Sequence, residues 1–199
     1  MKRRDVLKGL GMSIGGYAVA TPTLLTLLQS CNTEVAAWVP VFFSVEEGVV
    51  VRNLVDVILP KSEATPGALD VNVPEFLDLY MEKGYKKEIQ EETKEGLKAI
   101  LAALNVTEEN PASNVKREEY DALLSKYLRT KQEEQDVFRK DKTDKAIFET
   151  LWGIRDGVVW AYRTSAEVGE NVLAYDPIPG VQLGCISLEE ATGGKRWSL

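Results

Sequence analysis

Residues 144–162 read DKAIFETLWGIRDGVVWAY, and the rest of the chain must be built around them. Ile147, Phe148, Leu151, Trp152, Ile154, Val158, Val159 and Tyr162 recur at helical spacing, so one face of a long helix is apolar. A stripe that wide is stable only against other helices or a sheet. Arg155 falls inside the stripe, one turn from Leu151 and one turn from Val159. A guanidinium there is costly unless paired. Two readings stand: a structural ion pair or snorkelling side chain, or an anchor for a partner's carboxylate.

Working outward, residues 118–128 carry Tyr120, Leu123, Leu124, Tyr127 and Leu128, a clean i, i+3, i+4 pattern. The charged run KQEEQDVFRKDKTDK after them predicts a solvated connection with frayed helical ends. Over residues 86–104, Ile89, Leu97, Ile100, Leu101 and Leu104 share one face of a charged helix that Asn105 ends. Ser44 and Glu47 form an S-x-x-E capping box. Behind it Val50, Val51, Leu54, Val55, Val57 and Ile58 run until Pro60 stops the helix. Thr65, Pro66 and Gly67 carry turn chemistry, and Pro74 suits the first residue of a further helix bearing Phe76, Leu77 and Tyr80. The last forty residues are rich in Gly and Pro, with a second capping box at Ser187 and Glu190. Strict alternation is nowhere long enough for a strand. The fold expected is all-α: one helical-bundle domain of about five main helices with an irregular C-terminal segment.

The chain has 199 residues, enough for one domain with a real core but hardly for two. Its formal charge is -7; residues 1–30 hold four basic groups against Asp5, a local +3, leaving -10 for the rest. So acidic a body is not expected to bind nucleic acid, which needs clustered Lys and Arg. There is no histidine. That excludes, within this chain, a C-x-x-C-H haem attachment, a His-ligated metal, and any nucleophile or base that relies on imidazole. The only cysteines are Cys31 and Cys185, which allow one disulfide but no Cys-rich cluster. Cys185 in LGCIS reads either as buried packing or as a reactive thiol.

The opening MKRRDVLKGLGMSIGGYAVATPTLLTLLQSCN is a basic stretch followed by a weakly apolar one, the form of an export signal. Arg3, Arg4, Leu7 and Lys8 match a twin-arginine (Tat) signal, while Lys2 and Val6 depart from it. Gly9, Gly11, Gly15 and Gly16 keep the segment less hydrophobic than a membrane span. Gly9, Gly11 and Gly15 nearly spell a dinucleotide fingerprint, but the third is one place late and no strand precedes it. Leu28, Gln29 and Ser30 before Cys31 resemble a lipobox, with Cys31 as the lipidated first residue of the mature protein. An uncleaved anchor and ordinary signal cleavage are the alternatives. The organisation expected is a leader over 1–30, a tether over 31–43 and a helical domain over 44–199.

Behind that leader come NLVDVILP (53–60), TPGALD (65–70), VPEF (73–76), AYDPIPG (174–180), Gly184-Cys185 and a late Trp197. In this order and spacing they resemble the gluconate 2-dehydrogenase subunit 3 family over nearly all of the chain. The resemblance implies a small, non-catalytic, Tat-signal-bearing subunit of a periplasmic, membrane-associated dehydrogenase. It implies as partners an FAD flavoprotein of the glucose-methanol-choline (GMC) type and a cytochrome c subunit, so FAD and haem c sit in other chains and none here. It makes Arg3 and Arg4 the contacts with the Tat translocase. Thr65, Pro66 and Gly67, then Tyr175, Asp176, Pro177, Pro179 and Gly180, and Trp197 become candidate partner surface; the other reading is that both loops are braced inside. Outside the family, a stand-alone periplasmic scaffold lipoprotein and a carboxylate-using enzyme remain as rivals.

Overall fold

The computed structural model describes residues 38–178, 180 and 184–198. Arg3, Arg4, Leu7, Lys8, Cys31 and Pro179 lie outside them. Helix α1 (Val45–Ile58) begins where its capping box predicts: the Ser44 hydroxyl accepts from the Glu47 amide, and the Glu47 carboxylate accepts from the Ser44 amide. It closes at Leu59, just before Pro60. Helix α2 (Val73–Gly84) comes after the TPG loop, with Pro74 in its first turn, where a missing amide hydrogen does no harm. Helix α3 (Lys87–Ala103) ends at Asn105, whose φ of 54° is left-handed. The Asn105 amide donates to Ala102 and the Val106 amide to Leu101, so the last carbonyls are satisfied.

After a 3-10 turn (Ala112–Asn114) come α4 (Arg117–Leu128), the short α5 (Gln132–Phe138) and α6 (Lys142–Thr164). A π-helical turn (Val168–Val172) and a five-residue helix α7 (Leu188–Thr192) complete the chain. The described residues are therefore all-α, with five helices of twelve residues or more. The charged run after α4 is solvated as expected, but it folds into α5 rather than remaining a connection. Phe138 explains this: its ring lies 4.9 Å from Tyr127 and 6.3 Å from Phe148, which pulls the segment onto α4 and α6.

Helix α6 is the hub. It packs against α1, α2, α3, α4 and α5, most extensively against α3. Ile147, Phe148, Leu151, Ile154, Val158 and Ala161 are its buried line, against Val50, Val51, Leu54 and Val55 of α1 and Leu97 and Ile100 of α3 in the same core. Gly96 permits the close α3–α6 crossing: a Cβ there would stand 1.7 Å from the Thr150 hydroxyl oxygen. Arg155 is not part of the buried line. It lies about 100° round the helix from Ile154, is exposed, pairs with Asp156 at 2.7 Å and lies over the Trp152 ring at 4.9 Å. This is an exposed ion pair with its sequence neighbour, so the desolvation cost expected of a guanidinium inside the stripe does not arise.

The stretch before α1 is held by one side chain. Asp78 of α2 is almost wholly buried, and its carboxylate accepts from the amides of Val41, Phe42 and Phe43 at 2.6, 2.9 and 2.9 Å. Charge-assisted bonds of this kind are about twice as strong as neutral ones. They place Phe43 in the core and bring the Phe42 ring under the Lys94 ammonium, which also meets Glu47.

Candidate partner-binding surfaces

The TPG loop is bound into the body. Ser62 accepts from the Thr65 amide, the Asp70 carboxylate accepts from the Gly67 amide at 2.8 Å, and the Ala68 amide donates to Leu59. From α6, the Tyr162 hydroxyl donates to the Pro66 carbonyl at 2.7 Å. Thr65 and Pro66 are half-buried and Gly67 is buried. A Cβ at Gly67 would lie 2.7 Å from the Lys61 backbone nitrogen, so the chain passes too close there for another residue. The Gly67 amide, helped by Lys61 nearby, holds the Asp70 carboxyl below the ordinary aspartate value.

The AYDPIPG segment is different. A single parallel bridge joins Ala174 to Trp197, with the Ala174 amide donating to Arg196 and the Ser198 amide to Ala174, both at 2.9 Å. The bridge brings Trp197 alongside the backbone that leads into Tyr175. Tyr175, Asp176, Pro177, Gly180 and Trp197 are all exposed. Cys185 is exposed too, with φ at 57°, so burial as core packing does not hold for it.

A third surface is one that the sequence reading missed. Phe76 and Tyr80 on α2, Tyr85 just after it and Trp160 on α6 form one ring cluster. Trp160 stands 5.4 Å from Phe76 and 5.1 Å from Tyr80, centroid to centroid, and Tyr85 meets Tyr80 edge-on at 5.2 Å. All four are more than a third exposed, as is neighbouring Leu79. Phe76 and Leu79 also line a groove of about 420 Å³ with Val71, Val73 and Ala161. In the sequence, Phe76 and Tyr80 look like one core stripe with Leu77. The spacing gives no warning of this: Val73, Phe76, Leu77 and Tyr80 fall at i, i+3, i+4 and i+7, the pattern of one apolar stripe. The core covers the Val73 and Leu77 side of that stripe and leaves the Phe76 and Tyr80 edge to solvent.

Among the described residues no group of three or more acidic or cysteine side chains is placed to hold a metal ion, and no helix is long and apolar enough to cross a membrane. No curated protein and no solved structure matches the chain. A family model does: gluconate 2-dehydrogenase subunit 3 matches residues 45–180, from the first residue of α1 to the end of AYDPIPG. With about two thirds of its length matched, the chain belongs to the gluconate 2-dehydrogenase subunit 3 family and is by that membership a subunit of a dehydrogenase complex.

Proposed function

We propose that this chain is the non-catalytic small subunit of a periplasmic, FAD-linked dehydrogenase of the gluconate 2-dehydrogenase kind. It binds the GMC-type flavoprotein, supplies the twin-arginine signal through Arg3 and Arg4 for their joint export, and tethers the complex to the membrane through a lipid on Cys31. The observation that carries this reading is the family match over residues 45–180. The leader adds to it, because the Tat route carries proteins already folded around their cofactors, and a flavoprotein loaded with FAD in the cytoplasm needs such a passage.

The redox groups belong to the partners. Haem c would find no C-x-x-C-H attachment and no imidazole in this chain, and FAD would find no glycine-rich loop between a strand and a helix among the described residues of the body. No redox step is therefore assigned to its residues. What this chain contributes is position: it holds the flavoprotein near the membrane, where a cytochrome c subunit takes the electrons.

The test is a pull-down of tagged protein from detergent-solubilised native membranes, with an absorbance spectrum and mass spectrometry on what accompanies it. Oxidised-flavin bands and a large GMC-type chain are the expected result. Colourless protein recovered alone would make it a stand-alone lipoprotein instead. Replacing Arg3 and Arg4 by lysine should leave both chains in the cytoplasm, and Cys31→Ser should leave an unprocessed precursor. Normal processing of the Cys31 variant would remove the lipid anchor from the account.

A further inference from the structure

We infer that the face of α2 and α6 carrying Phe76, Leu79, Tyr80 and Trp160, with Tyr85 at its edge, is where the flavoprotein subunit docks. The inference rests on the reading that this chain binds that subunit, and it assigns the contact to a surface.

The patch is the strongest surface candidate for three reasons. Its rings touch one another, so the exposed aromatic area is contiguous. The other multi-ring clusters among the described residues include a buried member: Phe43 beside Phe42, and Tyr127 and Phe148 beside Phe138 and Trp152. Only the α2–α6 cluster leaves every ring in part to solvent. Finally, its residues carry aromatic area on side chains already stacked in place, so docking sacrifices little rotamer freedom. The groove beside it, lined by Phe76, Leu79 and Ala161, offers a socket for an apolar side chain of the partner.

Family membership and charge decide the occupant. The matched span 45–180 contains all five residues, and the family is one of complex subunits, so a contact surface is required within that span. Trp197 lies beyond it and the TPG loop is internally bonded; the exposed Tyr175, Asp176, Pro177 and Gly180 lie inside it and are the rival surface that the double variant below tests. A second copy is disfavoured because each body carries -10, and an anionic lipid surface is disfavoured for the same reason. A neutral or basic apolar surface on the flavoprotein suits both the patch and the charge.

Two readouts on the full-length protein test this. Leu79→Glu places a charge where the patch meets the groove, at a side chain 53% exposed, so the fold should melt within a few degrees of wild type. Co-purification of the FAD-containing chain, measured as flavin absorbance per tagged subunit, should fall about tenfold or more. A photo-reactive p-benzoylphenylalanine in place of Leu79 should cross-link to the flavoprotein chain, identified by mass spectrometry, and this readout does not depend on a loss. Undiminished recovery by Leu79→Glu, or cross-links only to lipid or to a second copy of this chain, overturns the assignment while the subunit role stands. Loss of recovery in a Tyr175→Ala, Asp176→Ala double variant with Leu79→Glu unaffected moves the contact to the tail and also overturns it. Wild-type protein that recovers no flavoprotein removes the role and the surface together.

Discussion

The chain writes the same helix start twice, at Ser44–Glu47 and at Ser187–Glu190. In both, the serine hydroxyl accepts from an amide three residues on at 3.2 Å, and the glutamate carboxylate accepts from the serine amide, at 2.7 Å in the first and 3.1 Å in the second. The helices behind the two caps differ completely. The first cap opens a fourteen-residue helix with Val50, Val51, Leu54 and Val55 in the core. Its first turn is also bonded from outside, Glu46 accepting from the Ala112 amide and Glu47 from Lys94. The second opens a helix of five residues, none of them buried. A cap settles where a helix begins; how far it runs is decided by the apolar face it can bury, because short helices are marginal by themselves.

The largest test of that contrast is Asp78→Ala, which removes the acceptor for three amides just ahead of the first cap. Loss of these bonds to a buried carboxylate should cost about 3 kcal/mol and expose the Phe43 amide to hydrogen exchange. A loss under about 1 kcal/mol with Phe43 still protected would mean the lead-in is held by other contacts. Next is Gly96→Ala, where the new Cβ meets Thr150 and forces α3 off α6, at about 2 kcal/mol by denaturant melts. Its control is Gly153→Ala in the exposed face of α6, where nothing lies within 4 Å; helix propensity there should add about 1 kcal/mol of stability. Equal effects of the two would deny the close crossing.

Smaller and more direct is the pair of cap deletions. Ser44→Ala should destabilise the protein by about 1 kcal/mol, a few degrees in melting temperature, because the first cap belongs to a helix that folds with the core. Ser187→Ala should leave the melting temperature unchanged and only speed exchange of the Glu190 amide. Equal shifts from the two would show that α7 is coupled to the core after all. The smallest effect is in pH. The Ser187 amide, and then its hydroxyl, hold the Glu190 carboxyl below the ordinary glutamate value of 4.5. A carboxyl lowered in this way stabilises α7 fully above that value, and the stabilisation disappears as pH falls through the lower, folded-state value. The amide shift of Ser187 should therefore titrate below 4.5; titration at the ordinary value would mean that the second box is open in solution.

Much of the body is legible in the sequence because the signals are local. Ser44, Pro60, Asn105 and Ser187 mark helix ends through their own backbone chemistry, and the stripe of Tyr120, Leu123, Leu124 and Tyr127 buries as its spacing predicts. The misreadings share a cause. Arg155 reads as part of a stripe that is in fact narrower than its apolar residues suggest, and α5 reads as a connection because its charges outnumber the one ring, Phe138, that seats it. The TPG loop reads equally as surface or brace until Tyr162 is seen to reach the Pro66 carbonyl across the fold.

The sequence by itself determined the five long helices, where they start and stop, the acidic charge of the body and the family, since each comes from residues close together in the chain or from their order. Tertiary structure alone decided that Asp78 would hold the lead-in, that Gly96 would let α3 close on α6, and that Phe76, Tyr80 and Trp160 would be left together on the outside. Those outcomes depend on how much of each apolar stripe the core has room to cover. Periodicity shows that a face exists, but packing between distant segments sets how much of it is buried.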